Sequence, residues 1–509
     1  MQANASESQV LFKIEHNDKV GRYAVASCDF NPGDVIFTET PFAFGPKADS
    51  PPVCLGCCIP VNVSTFCSSC KWPVCNNKCQ EIPAHKYAEC SLFSKNKVQF
   101  QSIENPELTC LQYECITPLR ILLAIKANPE RWEEEVKMME SHNNKRKSKP
   151  IWRFNQINIV NYLRGPCKLD FDEELIHTVC GILESNAFEA RSISGHPIRC
   201  LFPKLAILSH NCVSNISHSI VCTGSGDDQD FSVTVRAATK VCEGDELFSS
   251  YTYSFWPTLT RREFLKESKY FDCSCARCSD PTELGTHMST IRCNQCTTGF
   301  LTSTNSLDNN APWKCSNCNE PLESSHVKNL FIKIQQELDA ADNSHPQIRL
   351  KLLEALLRKY EKILHPQNSY CCILRSSLID MCGKLKNNCE LDLIERKKDY
   401  CEQLLKVVDV IEPGYTRTRG VTLHELFISL VFITVNETEI NKNELIRRLQ
   451  EILEILEEST NILKLEPEST FEGKIGIFSK MLFQQLKEHF DDVVHGRMEL
   501  TNVLYFTKK

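Results

Sequence analysis

The chain has 509 residues, 29 cysteines and a formal net charge of −7 at pH 7. That length allows several domains, each with its own core. The mixed, mildly acidic charge excludes a chain-wide electrostatic grip on nucleic acid. The opening MQANASESQVLFKIEH has no basic start followed by an apolar run, so no secretory signal is expected. The thiols should therefore stay reduced in cytoplasm or nucleus, and their spacing decides their role. The apolar run LVFITV at 430–435 is too short to span a bilayer, so no membrane partner is expected.

Residues 1–47 read as short strands. VGRYAVAS and DVIFTET are rich in β-branched and aromatic residues, with a turn at Asn31-Pro32-Gly33-Asp34 between them. From about 100 to 185 apolar residues recur every three or four positions, as in PLRILLAIKA and FDEELIHTVCGILESN, which predicts helices. The basic NNKRKSKP at 143–150 reads as a solvated loop. Strands return between 198 and 251, including FSVTVRAATKV after the turn-rich GSGDDQD. Beyond about 325 the chain reads as successive helices. Leu353, Leu356, Leu357, Tyr360 and Leu364 mark one apolar face, and Leu445, Leu449, Ile452 and Leu456 another. Loops at His365-Pro366 and Pro413-Gly414 separate them. The fold class is α+β and multidomain.

Counting Cys212, fifteen of the 29 cysteines fall into three groups. The first is Cys54-x2-Cys57, Cys67-x2-Cys70, Cys75-x3-Cys79 and His85-x4-Cys90, eight donors and enough for two tetrahedral zinc sites. So short a module can hardly bury a core of its own, and metal is expected to supply most of its folding free energy. The second, Cys273-Ser-Cys275-Ala-Arg-Cys278, offers three thiolates and needs a fourth donor, for which Cys212 is one candidate. The third, Cys293-x2-Cys296 and Cys315-x2-Cys318, has zinc-ribbon spacing and stands alone in a polar segment. Cys371, Cys372 and Cys401 read as small buried apolar residues.

VGRYAVAS, the cysteine block, NAFEAR, LSHNCVSN, GDELFSSYTYSFWPTLTRREFL and KYFDCSCARCSDPTELGT occur in that order over some 280 residues. With them the chain resembles the SET and MYND domain-containing (SMYD) proteins, most closely the arthropod-type SmydA group. The resemblance implies a β-rich SET domain split between 1–47 and 196–260. Between these halves lie a MYND zinc finger at 54–90 and a helical SET insertion at 100–195. It implies a post-SET zinc segment at 268–285, a zinc ribbon at 286–322 and a helical TPR-like domain at 325–509. In the family pattern Cys54, Cys57, Cys75 and Cys79 share one zinc, and Cys67, Cys70, His85 and Cys90 another. Cys212 joins Cys273, Cys275 and Cys278, so about four zinc ions per chain are expected. The family more often has three residues between that histidine and cysteine, where this chain has four.

The resemblance further implies a methyltransferase, a transferase of methyl groups from S-adenosyl-L-methionine to protein lysine, with a link to transcription regulation. Tyr251 matches the catalytic tyrosine and Phe188 the lysine channel. Gly21, Arg22, Tyr23, Asn186, Ser209, His210 and Phe271 match the cofactor contacts. The MYND block, with five Lys against two Glu across 54–97, would take proline-rich peptides. A monomer is expected. Two departures weaken the cofactor loop. Ser209 replaces an asparagine, a lost hydrogen bond of about 0.5–1.5 kcal/mol. Ser214 replaces a proline, loosening the turn by about 0.4–1 kcal/mol. The alternative reading is therefore a weak or inactive adaptor that keeps the SET fold and recruits partners as a corepressor-type scaffold.

Overall fold

The computed structural model describes residues 11–18, 20–101, 109–223, 230–296, 298–384, 391–437 and 440–494. The expectations for residues 1–10, for most of the GSGDDQD turn (224–229) and for residues 495–509 lie outside them.

Sequence-distant strands share small sheets. A hairpin of β1 (Phe12–Asn17) and β2 (Gly21–Ala26) pairs Phe12 with Ala26. The first three-stranded antiparallel sheet joins β3 (Val35–Glu39) to the pair that follows the second half's loop. The second joins β4 (Ala43–Pro46), β5 (Phe188–Arg191) and β6 (Pro197–Leu201), in the order β4-β6-β5. Then come β7 (Ser209–His210), β8 (Ile216–Thr223), β9 (Asp230–Ala237) and β10 (Phe248–Ser249). The first sheet has the order β3-β9-β8, and β7 pairs β10 in parallel. Along β9 the period-two pattern buries Phe231, Val233, Val235 and Ala237. They meet Ile36, Ile198, Phe202, Leu208 and Leu247 in one core.

The cysteine block is not a self-standing module. Trp72 is buried and stacks on Phe93 at 4.8 Å, and Tyr113 meets Trp72 edge-on. Leu119, Ile121 and Leu122 of helix Ile116–Ala127 and Val179 and Ile182 of helix Glu173–Asn186 complete the same core. The metal does not act alone here, because the block borrows apolar burial from the helices that follow it.

The basic run at 143–150 is also misread as a solvated loop. Residues Asn143–Arg146 form a helical turn, and the Arg146 side chain is wholly buried. Its guanidinium holds both oxygens of Glu184 at 2.7 Å, 38 residues away. Trp152, which stacks on His177 at 3.6 Å, covers it. A charge run usually marks a wet face, but a bidentate carboxylate and an aromatic lid override that rule.

The zinc-ribbon segment folds into β11 (Ile291–Arg292), β12 (Phe300–Ser303), β13 (Trp313–Cys315) and β14 (Pro321–Leu322), an antiparallel meander. It does not stand alone. Ile291 bridges Leu364, and Trp313 enters the core of helices Ser324–Asp342 and Pro346–Tyr360. Helices Ser369–Lys384, Leu391–Ile411, Arg417–Asn436, Lys442–Leu463 and Phe471–Val494 follow as antiparallel neighbours. Leu353, Leu357, Tyr360, Leu364, Leu445, Leu449, Ile452 and Leu456 are buried, and Leu356 is half-buried. The run LVFITV is the end of Arg417–Asn436, a 20-residue helix with a mean hydropathy of 1.3. By length and composition that helix could cross a membrane. Here it packs between its neighbours with Leu423, Leu426 and Phe427 buried, as a core helix does.

The Pro413-Gly414 loop docks the helices on the strands. Tyr415 N–H donates to the Ala238 carbonyl at 2.7 Å. A Cβ on Gly414 would fall 2.1 Å from that same oxygen, so only glycine lets the two backbones approach.

Candidate active site and zinc centres

Four quartets of metal-ligating side chains form, with the ligand atoms in each within 4.8 Å of one another. They are Cys54, Cys57, Cys75 and Cys79; Cys67, Cys70, His85 and Cys90; Cys212, Cys273, Cys275 and Cys278; and Cys293, Cys296, Cys315 and Cys318. Their sulfur separations test the fit. Cys57–Cys75 is 3.4 Å, Cys212–Cys278 3.5 Å, and Cys67–Cys90, Cys293–Cys318 and Cys296–Cys315 are each 3.7 Å. A tetrahedral zinc with Zn–S of ~2.3 Å sets sulfurs about 3.8 Å apart. A disulfide needs about 2.05 Å. The donor sets therefore fit four zinc ions, and the fourth intervening residue between His85 and Cys90 does not disturb the second quartet.

What surrounds the ligands was not visible in their spacing. His85 turns Nε2 to Cys70 and Nδ1 to Glu89, 2.8 Å away, both side chains being buried. Burial alone would raise the Glu89 pKa, but Arg120 and His85 hold it below the ordinary value. Arg120 grips both Glu89 oxygens (2.7 and 2.9 Å) and donates to the carbonyls of Leu55 and Phe44. The metal-facing histidine is thus oriented by a carboxylate, which an arginine ties to β4.

The Cys212 quartet has a different support. Arg261, on helix Thr258–Phe264, donates to Cys212 Sγ at 3.3 Å and Cys278 Sγ at 3.7 Å. Its far side reaches Glu283 at 2.8 Å, and Glu283 also takes Arg277 at 3.0 Å. Burial opposes ionising Glu283, yet Arg261 and Arg277, with the Ser289 hydroxyl, hold its pKa down to about 2. Positive charge at thiolate sulfurs offsets the negative charge of a four-thiolate site.

The LSHNCVSN loop links this centre to Tyr251. Ser209 and His210 lie on β7 beside Phe248 and Ser249. His210 Nδ1 accepts from the Tyr251 backbone N–H at 3.0 Å. That leaves the ring proton on Nε2, 3.3 Å from Cys212 Sγ. The Tyr251 hydroxyl donates to the Leu208 carbonyl at 2.5 Å, and burial pushes its pKa up. Ser214 does more than loosen the turn. Its hydroxyl lies 2.7 Å from the Ile216 carbonyl and 2.6 Å from that of Phe248, and it accepts from Ile216 N–H. Asn215 adds two bonds, to Glu246 O and Phe248 N.

Phe271 and Phe264 pack with Tyr251 around the quartet, and the Phe271 ring lies 5.8 Å from that of His210. Asn186 ends helix Glu173–Asn186, its amide nitrogen donating to the carbonyls of Glu140 and Ile182. Gly21, with φ +75°, opens β2, whose Ala24 carbonyl accepts from Leu247 N–H just ahead of β10. Arg22 is half-buried, and burial lowers its pKa. The Tyr23 hydroxyl instead points along the outer face of the hairpin to Glu15. Phe188 packs in the sheet core against Phe202 and His218. A groove of about 480 Å³ elsewhere, between the C-terminal helices, is lined by ion-paired side chains such as Arg447 and Glu451 and holds none of these residues.

Fold and site together define a class, a zinc-rich α+β protein in which a thiolate-bound loop and a tyrosine share one wall. No family model matches the chain. It is 29% identical to the SET domain-containing protein SmydA-8, isoform A, of Drosophila melanogaster over 332 residues, 61% of this chain and 66% of that one. It is 24% identical to the histone-lysine N-methyltransferase ASHR1 of Arabidopsis thaliana over 416 residues, 77% and 81% of the two. With the N-lysine methyltransferase SMYD2-B of Xenopus laevis it shares 29% over 233 residues, 43% and 50%. The match spans a little under two thirds of SmydA-8. A solved SET domain, that of LSMT bound to lysine and AdoHcy, pairs with 94% of this chain at 12% identity and a TM-score of 0.25, a value from which nothing follows. Its sequence relatives are thus SET domain-containing SmydA proteins and SMYD2 lysine methyltransferases, to which the chain is similar over 43–61% of its length.

Proposed function

We propose that this chain is an S-adenosyl-L-methionine-dependent protein-lysine N-methyltransferase. In this reading a SET domain is interrupted by a MYND finger and followed by post-SET, ribbon and TPR-like segments. The carrying observation is the single loop that holds Tyr251 through His210 and Leu208 while delivering Cys212 to the distant thiol triplet. The names of the relatives support the reading, since ASHR1 and SMYD2-B are lysine methyltransferases.

The cofactor supplies a methyl group on sulfur, which an uncharged amine can take in line. The chain's part is to position and to dry. Backbone at Gly21 to Tyr23, Asn186 Oδ1, Ser209, His210 and the Phe271 ring would form the nucleoside wall. A buried phenol that keeps its proton orients the amine without demanding a charge, and burial favours the neutral amine. Holding the reactants in line and close supplies most of the rate. Phe188 would line the lysine channel. The substrate is a protein, and cytoplasm or nucleus is the expected location.

The adaptor reading draws on Ser209 and on the altered loop. A radiolabelled methyl-transfer assay on candidate proteins, with Tyr251→Phe as control, separates the two. Label that appears with the wild type and falls at least about a hundredfold in the variant supports the enzyme. Equal label in both overturns the role of Tyr251, and no label with no binding of the cofactor leaves the adaptor.

A further inference from the structure

Lys269 ends the helical turn Leu265–Lys269 and turns back toward helix Glu173–Asn186. Its ammonium donates to the Ser185 carbonyl at 2.5 Å, next to Asn186. It also lies over the Tyr251 ring, 5.6 Å from the centroid, within the range of a cation–π contact. The nearby acids are engaged elsewhere, Asp272 by Arg262 and Lys266, and Glu267 by Lys149. Among the described residues no carboxylate forms an ion pair with Lys269. Two more cations crowd the next residue. Lys145 and Lys149 lie 5.8 and 4.6 Å from the centre of the Tyr270 ring. Burial also lowers the Lys269 pKa, as expected of an ammonium with no counter-ion.

We propose that Lys269 is a specificity-determining residue that sets the charge preference of the Tyr251 pocket, favouring an uncharged thioether nucleoside over its sulfonium form. The inference rests on the methyltransferase reading above. A sulfonium and an ammonium sharing one aromatic wall repel, and among the described residues no carboxylate pairs with Lys269 to offset its charge. Two unit charges about 6 Å apart at an effective dielectric of ~20 repel by up to about a hundredfold in affinity, and solvent screening reduces it. The thioether differs from the sulfonium by one methyl and one charge, so the ratio of the two affinities isolates the charge.

The test is calorimetric titration of the full zinc-loaded chain with S-adenosylmethionine and with S-adenosylhomocysteine, using wild type, Lys269→Met, Lys269→Gln and Lys269→Arg. The expected result is a shift of about tenfold toward the sulfonium in the two neutral variants, and an unchanged ratio in Lys269→Arg. Thermal melts identify any variant that fails to fold, and the other neutral variant then carries the comparison. Binding of both ligands with an unaltered ratio in a folded neutral variant overturns the role of Lys269 and leaves the methyltransferase reading standing. No heat with either ligand, in wild type and neutral variants alike, overturns both.

Discussion

The Cys212 centre and the ribbon centre use the same four-thiolate chemistry on opposite terms. The ribbon gathers its ligands from 26 consecutive residues, and its sulfurs are helped by local backbone, Gly299 N–H on Cys296 at 3.3 Å and Asn317 N–H on Cys315 at 3.4 Å. The Cys212 centre joins chain segments 61 residues apart and needs two buried arginines and a buried glutamate around it. A local site can be completed by its own turn. A site that welds distant segments must bring its own charge compensation, and in doing so it fixes everything attached to those segments.

Cys212→Ser and Cys315→Ser break that comparison most directly. Each should lower the zinc content from four to three per chain by metal analysis. Cys212→Ser should also destabilise the strand half by about 5 kcal/mol or more and abolish binding of S-adenosylhomocysteine. Cys315→Ser should leave that binding intact. Glu283→Gln comes next. It strips the shared partner from two buried guanidinium groups and should destabilise by about 3–5 kcal/mol in denaturant melts, with the ribbon's zinc retained.

Glu39 sharpens the comparison through pH. Its carboxylate accepts from Lys204 N–H at 2.8 Å and Leu205 N–H at 3.0 Å, holding the turn that leads into the LSHNCVSN loop. Burial raises its pKa to about 7 against those two donors and Arg131. The folded state therefore keeps a proton that the unfolded state releases near 4.5. Stability contributed by that proton is present below 4.5 and is lost as the pH rises through 7, a change on the order of 3 kcal/mol. Melts between pH 5 and 8 should show this decline, and Glu39→Gln should flatten it. The smallest effect is expected of Ser214→Pro. The hydrogen bonds lost from the hydroxyl, about 0.5–1.5 kcal/mol each, offset the stiffer chain, about 0.4–1 kcal/mol. The melting temperature should move by no more than a few degrees, and downward.

The sequence was most readable where chemistry is local. CxxC pairs announce zinc because two residues are what a tight turn needs to bring two thiolates to one ion. Apolar periodicity marked β9 and the helix faces for the same reason. Cys212 was assigned only through resemblance, since no spacing rule connects residue 212 to residue 273. Glu89, Arg120, Arg261, Arg277 and Glu283 gave no signal, because a single acid or base reads as a wet face until its partner is known. Arg146 shows the same failure from the other side, a basic run whose central member is buried by Glu184 and Trp152. Lys269 is the first residue of the stretch KYFDCSCARCSDPTELGT, yet its contact with Tyr251 joins positions 18 residues apart that no spacing rule connects. The cysteine block has too little apolar surface for a core of its own, and its spacing gives no sign of the helices on which Trp72 packs.

The imidazole at position 210 is spoken for at both nitrogens, giving its hydrogen to sulfur and receiving one from the main chain at 251. A ring so employed ties the thiolate at 212 to the backbone that carries the phenol. A chelator that empties the centre would therefore loosen the main chain at 251, while the phenol keeps its own bond to the carbonyl of residue 208.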